Sequence, residues 1–177
     1  MKSSPVLKGF YKLLFLYLEP ISTFLPAIMI YGAPGAHWFH HELIPDGSPV
    51  PPPGFLDPRS TMAVWQLANC YLLLGMLEGL GLRAVLKALP DNLVAQERLV
   101  GATLLAMAIA DITHILATWF ALPSDLQYNF AAWNGTTHGN ITAVVFLFIA
   151  RVSWFQGVGR KRYWYGQKKS SGKVKST

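Results

Sequence analysis

The sequence predicts an all-α protein, a bundle of four transmembrane helices with a Pro/Gly-rich lumenal loop and a basic cytoplasmic tail. Three observations predict it. Of 177 residues, 52% are hydrophobic and 14% charged, against roughly 25% charged in an ordinary soluble domain. Four apolar stretches are each long enough to cross a hydrocarbon core of about 30 Å at about 1.5 Å per residue. Lysine and arginine also gather on alternate connections between those stretches. The four-helix membrane domain is expected over residues 1–159 and the basic tail over 160–177.

The first span is expected at about residues 10–31, FYKLLFLYLEPISTFLPAIMIY, interrupted by Glu19, Pro20 and Pro26. Proline removes a backbone donor, which a membrane helix tolerates when a neighbour satisfies the freed carbonyl. A cleaved signal peptide is the competing reading, with Ala33, Gly35 and Ala36 as small residues for cleavage. The Glu-Pro pair splits the apolar core such a signal needs. Residues 32–61 are rich in proline and glycine and read as a solvated loop. His37, His40 and His41 cluster there without cysteine or regular helical spacing, so they read as loop histidines and no metal is expected.

The second span is expected at 62–82, with Gln66 and Asn69 one turn apart and Glu78 near its far end. Gly75 and Gly79 form a small-xxx-small pair that lets another helix approach closely. Cys70 is the single cysteine, so no internal disulfide forms, and its apolar setting reads as a buried small hydrophobe. Residues 83–96 are a polar connection carrying the Pro90-Asp91-Asn92 turn signal. The third span, 100–122, holds Asp111 and His114 one turn apart and on one face. After a loop over 123–137, the fourth span is expected at 139–158, with Asn140 at its start and Arg151 inside it.

Orientation follows from the basic residues. Of the 15 lysines and arginines, all but Arg59 and Arg151 fall on one side of the membrane, which places both termini in the cytoplasm. The sequons Asn134-Gly135-Thr136 and Asn140-Ile141-Thr142 fall on the opposite side. Asn134 is the expected glycosylation acceptor, Asn140 lying too close to the membrane. The basic tail faces anionic lipid rather than nucleic acid. No dinucleotide fingerprint, phosphate loop or zinc spacing appears, and no cofactor is expected.

Glu19, Glu78, Asp111, His114 and Arg151 all lie inside spans, where an ionisable side chain costs roughly 2.5–3.5 kcal/mol on insertion scales. One reading is structural: Arg151 neutralises a carboxylate, His114 hydrogen-bonds another, and the network fixes helix register. The other is acid–base chemistry on a lipophilic small molecule entering from the bilayer. Low dielectric favours the neutral form of a carboxylic acid, which can protonate an alkene or an epoxide oxygen while an ionised neighbour takes a proton. Asp111 or Glu19 is then the acid, His114 the base or shuttle, and Glu78 a further acidic candidate. Arg151 sets which carboxylate stays ionised. Gln66, Asn69 and Asn140 complete a candidate substrate-binding or network set.

The segments FYKLLFLYLEPIST, QLANCYLLLGMLEGLGLR, ADITHI and WNGTTHGNITAVVFLFIAR together resemble a fungal family of small four-helix membrane proteins catalogued mainly as a domain of unknown function. The resemblance runs from about Phe10 to Gly159, with Glu-Pro, Leu-x-Glu, Asp-x-x-His and Gly-Asn…Arg in order. His138 stands before Gly139-Asn140 where an aromatic is expected. Such genes often accompany fungal secondary-metabolite pathways, which implies a polyketide or terpenoid substrate, other biosynthetic enzymes as partners, and the endoplasmic reticulum membrane. A weaker likeness to the sterol-isomerase and emopamil-binding group carries no residues over. Together with the intramembrane acids, the resemblance leads to the expectation of a membrane-embedded enzyme that isomerises, cyclises or opens an epoxide in such a polyketide or terpenoid. The alternatives are a non-catalytic membrane protein that binds a lipid or scaffolds a complex, and a proton-coupled carrier.

Overall fold

The computed structural model describes residues 6–166. Lys2 and the tail residues Lys168, Lys169, Lys173 and Lys175 lie outside the described residues. Among those described, the helices are α1 (Gly9–Tyr31), α2 (Ala36–His41), α3 (Pro58–Ala88), α4 (Leu93–Ala121), α5 (Ser124–Gln127) and α6 (Gly135–Gln156). Four of them, α1, α3, α4 and α6, are long and apolar enough to cross a membrane. Each of the four exposes large apolar side chains along its length, for example Ile21, Leu80, Phe120 and Ile149. Facing lipid, such side chains have a solvent that suits them. The protein is an integral membrane protein with an all-helical fold.

Helix ends follow capping chemistry. Asp57 Oδ1 accepts from the N–H groups of Arg59 and Ser60, and Pro58 occupies the first turn, where its missing donor costs nothing. The Ser60 hydroxyl first, and then these N–H donors, hold the exposed Asp57 carboxyl below the usual carboxylate range. Asn92 caps α4 through Ala95, and Asn134 caps α6 through Thr137. At the end of α6, Gly157 takes a left-handed conformation (φ 80°). Its N–H and that of Val158 close on the carbonyls of Trp154 and Ser153.

The helices of the spans therefore run beyond the apolar stretches that hydropathy marks. The second starts four residues before Met62 and runs six past Leu82. The third starts at Leu93 rather than Val100, and the fourth at Gly135 rather than Gly139. The connection expected over residues 83–96 shrinks to 89–92, closed by Gln96 Nε2 donating to the Leu89 carbonyl at 2.7 Å. The loops also hold short helices, α2 and α5.

The long helices pack as two pairs. At Gly75 of α3, an added Cβ would stand 2.6 Å from Thr23 Oγ1 and 3.1 Å from Phe24 of α1. Gly79 faces Pro20 in the same interface, so the small-xxx-small pair is a helix contact. Gly101 of α4 receives the Trp154 ring of α6 in the second pair. Three apolar cores result. One joins all four long helices around Leu14, Phe15, Leu82, Leu104 and Trp154. A second belongs to α1, α2 and α3 (Ala27, Phe39, Val64, Ala68), and a third to α4, α5 and α6 (Leu122, Leu126, Trp133, Ile141).

Tyr11 Oη donates to the Val158 carbonyl at 2.9 Å, which brings the two described chain ends to the same end of the bundle. At the other end Asn134 Nδ2 reaches the Glu42 carbonyl and Oε2, at 2.9 and 3.0 Å. The spans alternate in direction, as the sequence predicts.

Candidate functional site

A charged cluster sits where the common core gives way to the two paired cores. Arg151 of α6 is fully buried, and its guanidinium bridges two helices. Nη1 donates to Asp111 Oδ2 of α4 at 2.6 Å, and Nη2 donates to Glu19 Oε1 of α1. Glu78 Oε1 of α3 lies 3.7 Å from Nη2, its carboxyl facing that of Glu19. All four membrane-spanning helices thus send one ionisable group to one point. Phe15 covers the cation, its ring centroid 5.8 Å from the guanidinium carbon. Arg151 Nε is buried and has no hydrogen-bond partner among the described residues.

Helix irregularities place two of the carboxyls. The turn Leu14–Leu18 is π-helical and ends immediately before Glu19. A second π turn, Leu77–Leu82, carries Glu78. A π turn rotates the residues after it relative to a regular helix, and such turns recur at functional sites. Pro20 has no N–H for the carbonyl of Leu16, four residues back. Arg83, one turn past Gly79, supplies the donor: Nη2 reaches the Leu16 carbonyl and Nη1 the Gly79 carbonyl. Its guanidinium also covers the Tyr17 ring at 4.8 Å.

Asp111 is the most exposed of the three acids, its side chain 8% accessible against 2% for Glu19 and 3% for Glu78. Reaction chemistry needs a contact with an incoming molecule, so Asp111 is the acid best placed for it. Three acids around one cation also constrain charge. One ionised carboxylate balances Arg151; three would leave two charges uncompensated in a buried site, at a cost of several kcal/mol each.

The remaining expected members are elsewhere. His114 is half-buried on α4 and makes no hydrogen bond or ion pair among the described residues, so it does not pair with Asp111. Helical geometry explains this: a residue three positions on is rotated about 60° around the axis. With Asp111 turned inward, His114 falls on the flank. Gln66 and Asn69 are exposed on the outer face of α3, opposite the buried Val64 and Ala68. Asn140 is half-buried in a π turn, Gly139–Ala143, about 16 Å along α6 from Arg151. None of these three joins the network. Cys70 is exposed rather than buried.

At the loop end, Asn134 Nδ2 is the atom a glycan would take, and it is committed to Glu42. His138 packs edge-on against Trp133, centroids 5.4 Å apart, and so occupies the place of the expected aromatic as a ring. His37, His40 and His41 line an open hollow with Asp46 and Asp57, away from the charged cluster.

Sequence reasoning missed two arginine contacts. Arg83 belongs to the segment that reads as a polar connection, yet its spacing from Glu78 and Gly79 keeps it on the inward face of α3. Arg160 opens the basic tail, yet it forms a two-pronged pair with Glu97 (2.6 and 2.7 Å) and stacks 3.7 Å over Trp154. Arg160 is thereby packed against α4 and α6.

The chain matches no curated protein and no solved structure. A family model covers nearly all of the described chain, residues 4–161, from the segment before α1 to the Arg160 anchor. On that match the chain belongs to the family described as a domain of unknown function (DUF7704).

Proposed function

We propose that the protein is a membrane-embedded enzyme that carries out acid–base chemistry on a lipophilic molecule entering from the bilayer. The observation that supports it is the ratio of three acids to one cation in a buried site joined to all four spans. A neutral carboxyl, Asp111 first, protonates an alkene carbon or an epoxide oxygen of the substrate. The resulting cation loses a proton to the ionised neighbour held by Arg151, which gives isomerisation or cyclisation. In the epoxide case water attacks the carbon instead and that neighbour takes its proton. Each path returns the cluster to its starting charge. His114, half-buried one turn along α4 from Asp111 and without a hydrogen-bond partner among the described residues, is the candidate shuttle between substrate and surroundings.

The resemblance of the spans to fungal companions of secondary metabolism supports a polyketide or terpenoid substrate and other biosynthetic enzymes as partners. It also supports the endoplasmic reticulum as the membrane. The basic asymmetry supports cytoplasmic termini. A non-catalytic reading, lipid binding or scaffolding of a complex, is favoured by one feature: Arg151 already satisfies Glu19 and Asp111, as a purely structural bridge does.

The two readings separate when ionisation is removed and shape kept. Metabolite profiling of a deletion strain should show an intermediate one acid-catalysed step short of a product. Reintroduced Asp111→Asn should accumulate in the membrane while turnover falls about 10²–10⁴-fold, since an amide cannot cycle a proton. Wild-type product from a well-expressed Asp111→Asn and His114→Gln pair would sink the enzyme reading.

A further inference from the structure

The outward face of α3 carries a pattern that lipid does not explain. Met62, Gln66, Asn69, Leu73, Met76 and Leu80 are spaced alternately by four and three residues, and all six are exposed. That is the a/d repeat of a helix seam, and it lies opposite the face α3 packs on α1. Two of its positions, one turn apart, are carboxamides inside the apolar span. Neither Gln66 nor Asn69 makes a hydrogen bond among the described residues. Four hydroxyls of the spans behave differently: Ser22, Thr23, Thr103 and Thr113 each bond a carbonyl of their own helix. A carboxamide cannot satisfy both its donors and its acceptor that way, and hydrocarbon offers no partner.

We propose that this seam is the dimer interface between two copies of the chain. The carboxamide chemistry selects the occupant. Each amide is both donor and acceptor, so it complements its own copy. Two copies inserted in the same orientation are related by a two-fold axis along the membrane normal, which sets the two α3 helices parallel. Gln66 then meets Gln66 and Asn69 meets Asn69, with Leu73, Met76 and Leu80 packing knobs-into-holes below them. A polar residue at one seam position fixes register, and two in succession exclude a slip of one turn. The inference does not depend on the acid–base reading, because the seam faces away from the charged cluster.

Cysteine cross-linking in native membranes tests it, in a Cys70→Ser background because Cys70 is exposed beside the seam. Asn69→Cys and Leu73→Cys, oxidised in membranes carrying two differently tagged copies, should give a species of twice the chain mass that holds both tags. Leu105→Cys, exposed on α4, should remain monomeric. The Gln66→Leu, Asn69→Leu double variant keeps the apolar seam and removes the hydrogen bonds. Its dimer fraction on dilution into lipid should correspond to about a tenfold weaker association. Cross-linking that ignores the seam, absence of a dimer at both seam positions, or trapping of a different protein would each overturn the proposal. So would a double variant that dimerises as the parent does.

Discussion

Arg151 holds two carboxylates of different helices at once, and the planar fork of guanidinium is what allows it. Removing the cation leaves three acids facing one another in a buried site. Breaking a buried pair by removing one partner costs about 3–5 kcal/mol, so Arg151→Met should reduce membrane abundance and lower the melting temperature in detergent by many degrees. Arg151→Lys retains the charge but presents a point donor. It should hold either Glu19 or Asp111 and recover only part of the loss. Adding Asp111→Asn to Arg151→Met should restore stability partially, since one fewer acid is left uncompensated; no restoration would mean that Asp111 is not part of the balance. The four members of this cluster were legible in the sequence because each is an ionisable group that hydrocarbon will not solvate. Gln66, Asn69, Asn140 and His114 share their polarity and spacing but stand outside the hydrogen-bonded cluster. Spacing says which residues share a face, but the rotation of the helix, set by Gly75 against Thr23 or by the π turn at Glu78, decides where that face points.

Each long helix was recognisable from its apolar run, whereas its ends were not. Hydropathy marks where a chain crosses hydrocarbon, and hydrogen bonding marks where a helix begins and stops. Arg59, Arg83, Lys87 and Glu97 are polar and still helical, because α3 and α4 continue into the interface on either side of the core. The caps that set the true starts, Asp57-Pro58, Asn92 and Asn134, are sequence signals of ordinary kind. They lie outside the apolar runs, where hydropathy carries no signal. The π turns left no such signal, and their position beside Glu19 and Glu78 came only with the structure. Packing at the α1–α3 contact gives a direct check. Gly75→Val forces a branched side chain onto Thr23 and Phe24 and should destabilise by about 1–3 kcal/mol, the range for overpacking. Gly81→Ala, on the same helix with nothing within 4 Å of its Cβ position, should be neutral or slightly stabilising. Equal loss from both would mean that α3 tolerates no added bulk anywhere, and that Gly75 has no special role as a contact.

The bundle is joined at one end and divided at the other, and the division has consequences for how the molecule sits in its membrane. At the joined end the Tyr11–Val158 hydrogen bond, the Glu97–Arg160 pair and Arg98 stacked on Tyr165 at 4.7 Å gather both described chain ends into one block. That block also carries Lys8, Lys12, Arg83 and Lys87, while among the described lysines and arginines the divided end carries Arg59 alone, beside His37, His40 and His41. Basic residues flanking short spans stay on the cytoplasmic side, so the joined end should face the cytoplasm and the divided end the lumen. The native sequon at Asn134 is a poor reporter of this, because its amide nitrogen already holds Glu42. Two inserted tags report it better. A tag after Thr177 should be digested by protease added outside intact microsomes. A tag at Gly54, in the exposed proline-rich loop, should survive until detergent opens the vesicle. If the two results are exchanged, the charge rule has been overridden and the charged cluster lies nearer the lumenal face. If both tags are cut in sealed vesicles, the two ends share a side and the alternation of the four spans is itself wrong.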